Sequence, residues 1–335
     1  MHSLAPVTID YNPSRLDPRE EHVRIHSHVE GLDLFLRYLP PTAPRTGVPN
    51  AVLYVHGATF PSALSIAHRF DGRSWRDELA DAGFHVWGFD FLGFGASDRY
   101  PEMAEPAQHH AALGRAESGS QQIERAVRFI CDRHRVSQIS IIAHSWGTIA
   151  TGLFAGRCPE LVKRLVFFGP ITWRPRQADL PTSPAWRCVS LQDQWARFTA
   201  DVPPGAAPVL SQSDFDEWGE LYLDTDPESR TRLPASVKIP SGPWQDIAAA
   251  WAGDLAYDPR LIRAPLTILR GEWDSLVTDT DARWLFEALT ASPIRRDVKI
   301  SRATHLMHLE ESRYQLYREV QCFLQGEDMP RASVT

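Results

Sequence analysis

A serine, an aspartate and a histidine, each set just beyond an apolar run, are the residues of this chain whose types and spacing suit covalent chemistry. Ser145 lies in the stretch 138–150, QISIIAHSWGTIA. There Val136, Ile139, Ile141 and Ile142 read as a short buried strand, and the run from Trp146 onward reads as a helix. A sharp strand-to-helix turn works only with small neighbours, here Ala143 two residues before the serine and Gly147 two after it, and it strains the backbone of its central residue. The hydroxyl is lifted clear of the sheet, at a helix amino end whose unpaired N–H groups favour the negative charge that an attacked carbonyl develops. A small-x-Ser-x-small pattern by itself equally suits an ordinary helix N-cap, so the reading depends on a base and an acid elsewhere. A serine hydroxyl needs a base to take its proton, and the base needs a carboxylate to fix its tautomer. Asp274 follows the apolar run 265–269 on a turn, and His305 follows the next run, 298–301, which gives the chain order Ser, Asp, His.

Those three side chains need a sheet to carry them. Strands are predicted at 22–28 and 32–39, joined around Glu30-Gly31, and at 51–55, which ends in His56-Gly57-Ala58-Thr59-Phe60. A helix over 74–82, stopped by Gly83, leads to a strand at 85–91 and the turn LGFGASD over 92–98. That turn lacks both Gly-x-Gly-x-x-Gly spacing and a following Lys-Ser/Thr, so it reads as a tight turn and not as a nucleotide loop. A helix over 118–133 precedes the Ser145 strand, and a strand at 162–168 ends at Gly169-Pro170. The later elements are the strand 265–269, a helix from about 280 to 289, the strand 298–301 and a closing helix over 312–324, with a frayed tail in the last ten residues. This alternation predicts an α/β fold, a mostly parallel central sheet flanked by helices.

From 171 to 256 the rhythm stops and prolines cut the chain into short pieces. No strand pattern is visible there, so the span reads as a mostly helical cap over the carboxyl edge of the sheet, with 1–170 and 257–335 forming the core. Its tryptophans, Trp173, Trp186, Trp195, Trp218, Trp244 and Trp251, read chiefly as its own small core, with one or two facing a pocket.

A formal charge of −7 and the lack of any Lys/Arg run argue against a nucleic-acid surface. Cys131, Cys158, Cys188 and Cys322 are widely spaced without a C-x-x-C pair, which suggests free thiols in a reducing compartment. The first 21 residues show no apolar targeting region, and no run is long enough to span a bilayer. A cytoplasmic protein is expected, a monomer or homodimer acting on a small molecule without metal or cofactor. His109 and His110 read as solvated loop residues.

HGATF, GFDFLGFGASD, AHSWG, RGEWDSLV and ATHLMHLE, spread from residue 22 to about 325, together resemble the α/β-hydrolase superfamily, in its serine-hydrolase branch with a cap, near the esterases and proline iminopeptidases. The resemblance implies Ser145 as nucleophile, Asp274 as triad acid and His305 as base. It implies the backbone N–H of Trp146 as one oxyanion donor, and that of Ala58, with Thr59 as rival, as the second. His308 is the rival base, but the family places its histidine five residues before the glutamate of a Leu-Glu pair, here Leu309-Glu310, which selects His305. Glu272 and Asp279 are rival acids, while His144 and His56 read as packed histidines, the latter ordering the oxyanion loop. Ala143 stands where the family usually has glycine, and HGATF departs from the HGGPG of proline iminopeptidases. A serine at 145 disfavours dehalogenase and epoxide-hydrolase chemistry, and the missing HGGG run disfavours the hormone-sensitive-lipase type. The implied reaction is hydrolysis of a carboxylic ester, thioester or lactone of a mainly apolar molecule, with Thr59 and Phe60 lining its site. Amide or peptide cleavage, with Glu217 or Glu220 receiving a substrate ammonium, carbon–carbon bond hydrolysis and a non-catalytic ligand-binding role are the alternatives.

Overall fold

The apolar runs form one eight-stranded sheet in the computed structural model, which describes residues 17–43, 47–175 and 182–326. The polar lead before residue 17 and, apart from Gly326, the tail expected at the end lie outside the described residues. The strands are β1 (Glu21–His26), β2 (Asp33–Leu39), β3 (Ala51–Val55), β4 (His85–Asp90), β5 (Ile139–His144) and β6 (Val162–Phe168). A separate ribbon, β7 (Trp186–Ser190) and β8 (Ser236–Pro240), precedes β9 (Leu266–Gly271) and β10 (Arg295–Ile300). The sheet order is β1-β2-β4-β3-β5-β6-β9-β10, parallel from β4 to β10, with β1 and β2 joined antiparallel at one edge. This is the α/β-hydrolase fold that the motifs imply.

β3, β5 and β9 are buried along their whole length, as strands covered on both faces must be. The pleat alternates their side chains between two cores. Val52, Tyr54 and Ile142 pack with Trp75 and Leu79 of α1 (Trp75–Asp81) and Leu316, Val320 and Phe323 of α8 (Arg313–Gln325). Leu53, Val55 and Ile141 face Ile123 and Val127 of α2 (Ala116–His134) and Ile149 of α3 (Gly147–Arg157). β10 begins earlier than the hydropathy of 298–301 indicates, because it is an edge strand whose first residues, Arg295, Arg296 and Asp297, reach solvent.

Between β6 and β9 lie α4 (Leu191–Thr199), α5 (Gln212–Leu223) and α6 (Gly242–Trp251). The reading of this span as free of strands is corrected: β7 and β8 pair antiparallel, Trp186 opposite Pro240 and Ser190 opposite Ser236. WRCVS and SVKIP are too short and too polar to show a period, and each is completed by a partner far away in sequence. The tryptophans divide between a private core and the main body, and Trp218 joins the two, packing on Phe198 (5.0 Å), Phe215 (5.8 Å) and Tyr222 (5.1 Å) of the insertion. Trp218 donates from Nε1 to the Leu64 carbonyl (3.0 Å), Trp186 to that of Glu105 (2.9 Å), and Trp173 stacks on Trp284 of α7 (Asp279–Ala288) at 5.7 Å. Trp195 stays within the insertion, against Phe215, while Trp244 is 48% exposed.

The start of α6 is docked backbone to backbone. The Gly242 N–H donates to the Leu113 carbonyl (2.7 Å), Ser241 and Leu113 both donate to Ala185 (3.1 Å each), and Ala185 donates to Ala107 (2.8 Å).

Candidate active site

β5 ends at His144 and α3 starts at Gly147, so the chain reverses over Ser145 and Trp146. Ser145 has φ +54°, the left-handed region, which costs a residue with a Cβ about 1–2 kcal/mol. Its surroundings over-determine the conformation. The Ser145 N–H donates to the Phe168 carbonyl on β6 (3.1 Å), and its own carbonyl accepts from the Thr148 N–H (2.9 Å) and Oγ (2.6 Å). A Cβ on Gly147 would lie 2.5 Å from the His56 carbonyl oxygen, so only glycine lets α3 start this close to β3.

β9 and β10, side by side in the sheet, deliver Asp274 and His305 from the turns beyond their carboxyl ends. The Ser145 hydroxyl donates to His305 Nε2 (2.8 Å), and His305 Nδ1–H donates to Asp274 Oδ2 (2.9 Å). The other carboxylate oxygen, Oδ1, accepts from the Leu276 N–H (2.9 Å). All three side chains are buried. This arrangement turns Nδ1–H of the imidazole to the carboxylate and Nε2 to the serine hydroxyl.

The rival residues lie elsewhere. Glu272 is exposed and accepts from the Arg302 N–H (2.8 Å), and Asp279 pairs with Lys299 (2.5 Å) and with Arg270. His308 is fully buried beside His144 (4.6 Å) and Phe168 (5.2 Å), with no partner for either ring nitrogen among the described residues. Burial first, then the charges of His305 and His68, push it down to about 3. His144 donates from Nε2 to the His305 carbonyl (3.1 Å) and is held well below its ordinary value by burial and by His308 and His305.

On the opposite side, His56 Nδ1–H donates to the Gly57 carbonyl (2.7 Å) while Nε2 accepts from the Phe91 N–H (3.1 Å). Burial pushes it down to about 4, so it is a neutral strut of the loop that carries Ala58 and Thr59. The backbone N–H groups of Ala58, Thr59 and Trp146 have no acceptor among the described residues. Phe60 is buried and packs on Trp218 (5.2 Å) and His308 (6.1 Å), joining the loop to the insertion. Glu217 and Glu220 are exposed on α5, with Glu220 paired to Arg230 (2.8 Å). Among the described residues no group of three or more His, Cys, Asp or Glu is disposed to hold a metal ion. Nor is any described helix long and apolar enough to cross a membrane, and none of the four cysteines is joined in a disulfide.

Three carboxylates around the site make bonds that the sequence reading did not give them, Glu310 having served there only as a landmark for His305. Asp201 accepts from the Ser275 hydroxyl (2.5 Å) and pairs with Arg197 (2.6 Å), tying the insertion to the residue after Asp274. Burial opposes its charge, but Arg197 and Ser275 hold the carboxyl below its ordinary value. Glu310 is fully buried and accepts from the Thr304 N–H (2.9 Å) and hydroxyl; burial pushes it up to about 7 in spite of those bonds. Asp246 on α6 accepts from Trp146 Nε1–H (3.0 Å). The one local signal for it is a lone carboxylate in the otherwise uncharged run GPWQDIAAAW.

The family model described as alpha/beta hydrolase fold matches residues 50–312. Human lysosomal acid lipase/cholesteryl ester hydrolase (Homo sapiens) is 26% identical over 150 residues, 44% of this chain and 36% of the lipase, so the match spans about a third of that relative. Two solved structures are similar over nearly their full length at 15% identity. A thioesterase domain from the curacin biosynthetic pathway has a TM-score of 0.59, covering 91% of this chain and 99% of its own. A serine hydrolase from the polyaromatic-hydrocarbon-degrading bacterium Cycloclasticus zankles has a TM-score of 0.60, covering 92% and 99%.

Proposed function

We propose, for a chain that belongs to the α/β-hydrolase fold family and is a hydrolase, that it cleaves a carboxylic ester, thioester or lactone of a mainly apolar small molecule through an acyl-enzyme on Ser145. The observation that carries this reading is the unbroken line from the Ser145 hydroxyl through His305 to Asp274, at 2.8 and 2.9 Å, with the serine at φ +54°. Ser145 Oγ attacks the carbonyl carbon as His305 Nε2 takes the hydroxyl proton, and Asp274 steadies the imidazolium. The oxyanion is received by the N–H groups of Trp146 and of Ala58, the latter sharing its turn with Thr59. Collapse breaks the bond to the alcohol or thiol, which leaves with the proton from His305; water then repeats the sequence on the acyl-enzyme and frees the acid. The exposed positions of Glu217 and Glu220 support an ester or thioester over a peptide amine terminus, since neither carboxylate faces inward. The buried aromatics Phe60, Phe198 and Trp218 support an apolar substrate.

The test is the intact mass of the protein after incubation with a serine-reactive phosphonate, followed by a panel of short and medium p-nitrophenyl esters and acyl thioesters. The expected outcome is one adduct on wild type, none on Ser145→Ala, and a loss of about 10⁴-fold or more in kcat/KM for that variant. An accessible wild-type protein that takes no adduct and turns over no ester rejects the reading.

A further inference from the structure

Trp146 is the single residue between the nucleophile and α3, and it is held on every side. Its ring lies edge-to-face on Phe91 at 4.9 Å, and its far edge sits where a side chain on Gly119 would come within 3.1 Å. Its Nε1–H is taken by Asp246 Oδ2 at 3.0 Å. The same oxygen accepts from the Ala116 N–H at the start of α2 (2.6 Å), and Oδ1 receives Arg115. Asp246 is 3% exposed, and a buried carboxylate persists only when donors surround it, as three do here. Burial still pushes its carboxyl above the ordinary value, against the pull of Arg115 and Trp146.

The backbone of this residue matters more than its ring. Trp146 has φ −54° and ψ −32° directly after a left-handed serine, so a small rotation of the peptide between them re-aims the Trp146 N–H. A hydrogen-bonded indole, anchored at its far end, removes that freedom. We infer that Asp246 is a positioning residue for the oxyanion site, acting through the Trp146 indole on the Trp146 backbone N–H, an inference that rests on the serine-hydrolase reading above. The insertion thereby completes the site from α6, 100 residues away in sequence.

The test uses the full chain with p-nitrophenyl butyrate as substrate, and expresses kcat per active site titrated with diethyl p-nitrophenyl phosphate, so that lost folded protein does not count as lost rate. Removal of one oxyanion donor is worth about 10²–10³ in kcat, and misaiming one is worth less. Asp246→Ala is expected to lower kcat about 10- to 100-fold with KM within about threefold. Asp246→Asn keeps an oxygen for Trp146 and Ala116 and is expected to recover to within about fivefold of wild type. Trp146→Phe, which keeps the ring and removes the N–H, is expected to fall in the same direction, and the double variant Asp246→Ala/Trp146→Phe no further than the worse single. Normal kcat per titrated site in Asp246→Ala, an Asn variant as slow as Ala, or additive losses in the double variant would each overturn the inference while leaving Ser145 as nucleophile. Where Asp246→Ala yields no folded protein, a normal kcat in Trp146→Phe overturns it equally. A wild type inert to the phosphate ester and the substrate overturns both readings together.

Discussion

The buried, unpartnered imidazole of His308 makes a quantitative demand on stability as pH falls. In the fold its pKa is about 3, and the unfolded chain returns it to about 6.5, so between those values the unfolded state binds a proton that the native state refuses. Stability therefore falls as pH drops below 6.5, by about 1.4 kcal/mol per unit for this one group, or ~2 kcal/mol by pH 5. That is a large share of the roughly 5–15 kcal/mol that holds a domain together. His308→Phe keeps a ring between Phe60 and Phe168 and removes the proton site. The bulkier ring carries a packing cost of about 1–3 kcal/mol, but that cost does not vary with pH. Urea unfolding followed by tryptophan fluorescence at pH 7.5, 6.5, 5.5 and 5.0 gives the difference between variant and wild type at each point. The difference should move by about 2 kcal/mol in favour of the variant from pH 7.5 to 5. A difference constant to within about 0.5 kcal/mol would show that native His308 takes up the proton freely and would refute the argument.

Glu310 demands the opposite trend. Its folded pKa of about 7 lies above the ordinary 4.5, so the stability it contributes is complete below 4.5 and is lost as pH rises through 7. Glu310→Gln keeps an acceptor for the Thr304 N–H and should gain ~2 kcal/mol on wild type between pH 5 and 7.5 in the same urea series; equal slopes for the two proteins would reject the buried-acid account. Gly147→Ala forces a methyl group against the His56 carbonyl oxygen, and should cost ~3 kcal/mol together with most of the phosphonate reactivity; a variant with wild-type stability and labelling would show that α3 can shift away freely.

The sheet was legible because its strands are buried on both faces and so read as unbroken apolar runs; β3, β5 and β9 are the clearest. The approach of Ser145, Asp274 and His305 was legible for a related reason. Ser145 and Asp274 each follow such a strand at its carboxyl end, His305 follows the edge strand beside them, and a parallel sheet brings those ends to one edge. What escaped depends on pairings that leave no local period. WRCVS and SVKIP become strands only by meeting each other, and β10 starts in charged residues because it is an edge. The Asp246–Trp146 and Asp201–Ser275 bonds likewise join the insertion to turns of the core, and no window of sequence contains both partners. Composition in the insertion pointed to aromatic packing, which Trp195, Phe198, Phe215 and Trp218 supply, but not to the contacts by which Trp173, Trp186 and Trp218 reach the main body.

The backbone bonds that seat the start of α6 on the loop 107–115 bear on how this chain could be recombined. A chimaera that exchanges everything from 171 to 256 would remove the main-chain partners of Leu113 and Ala107 as well as the helices and the ribbon, and would leave carbonyls of the recipient's core without donors. An exchange restricted to the ribbon and the two helices it encloses, from β7 through β8, keeps α6 with the body to which it is bonded. The natural crossover for grafting a new specificity is therefore at the Pro240–Ser241 junction, where β8 ends and the docked segment begins.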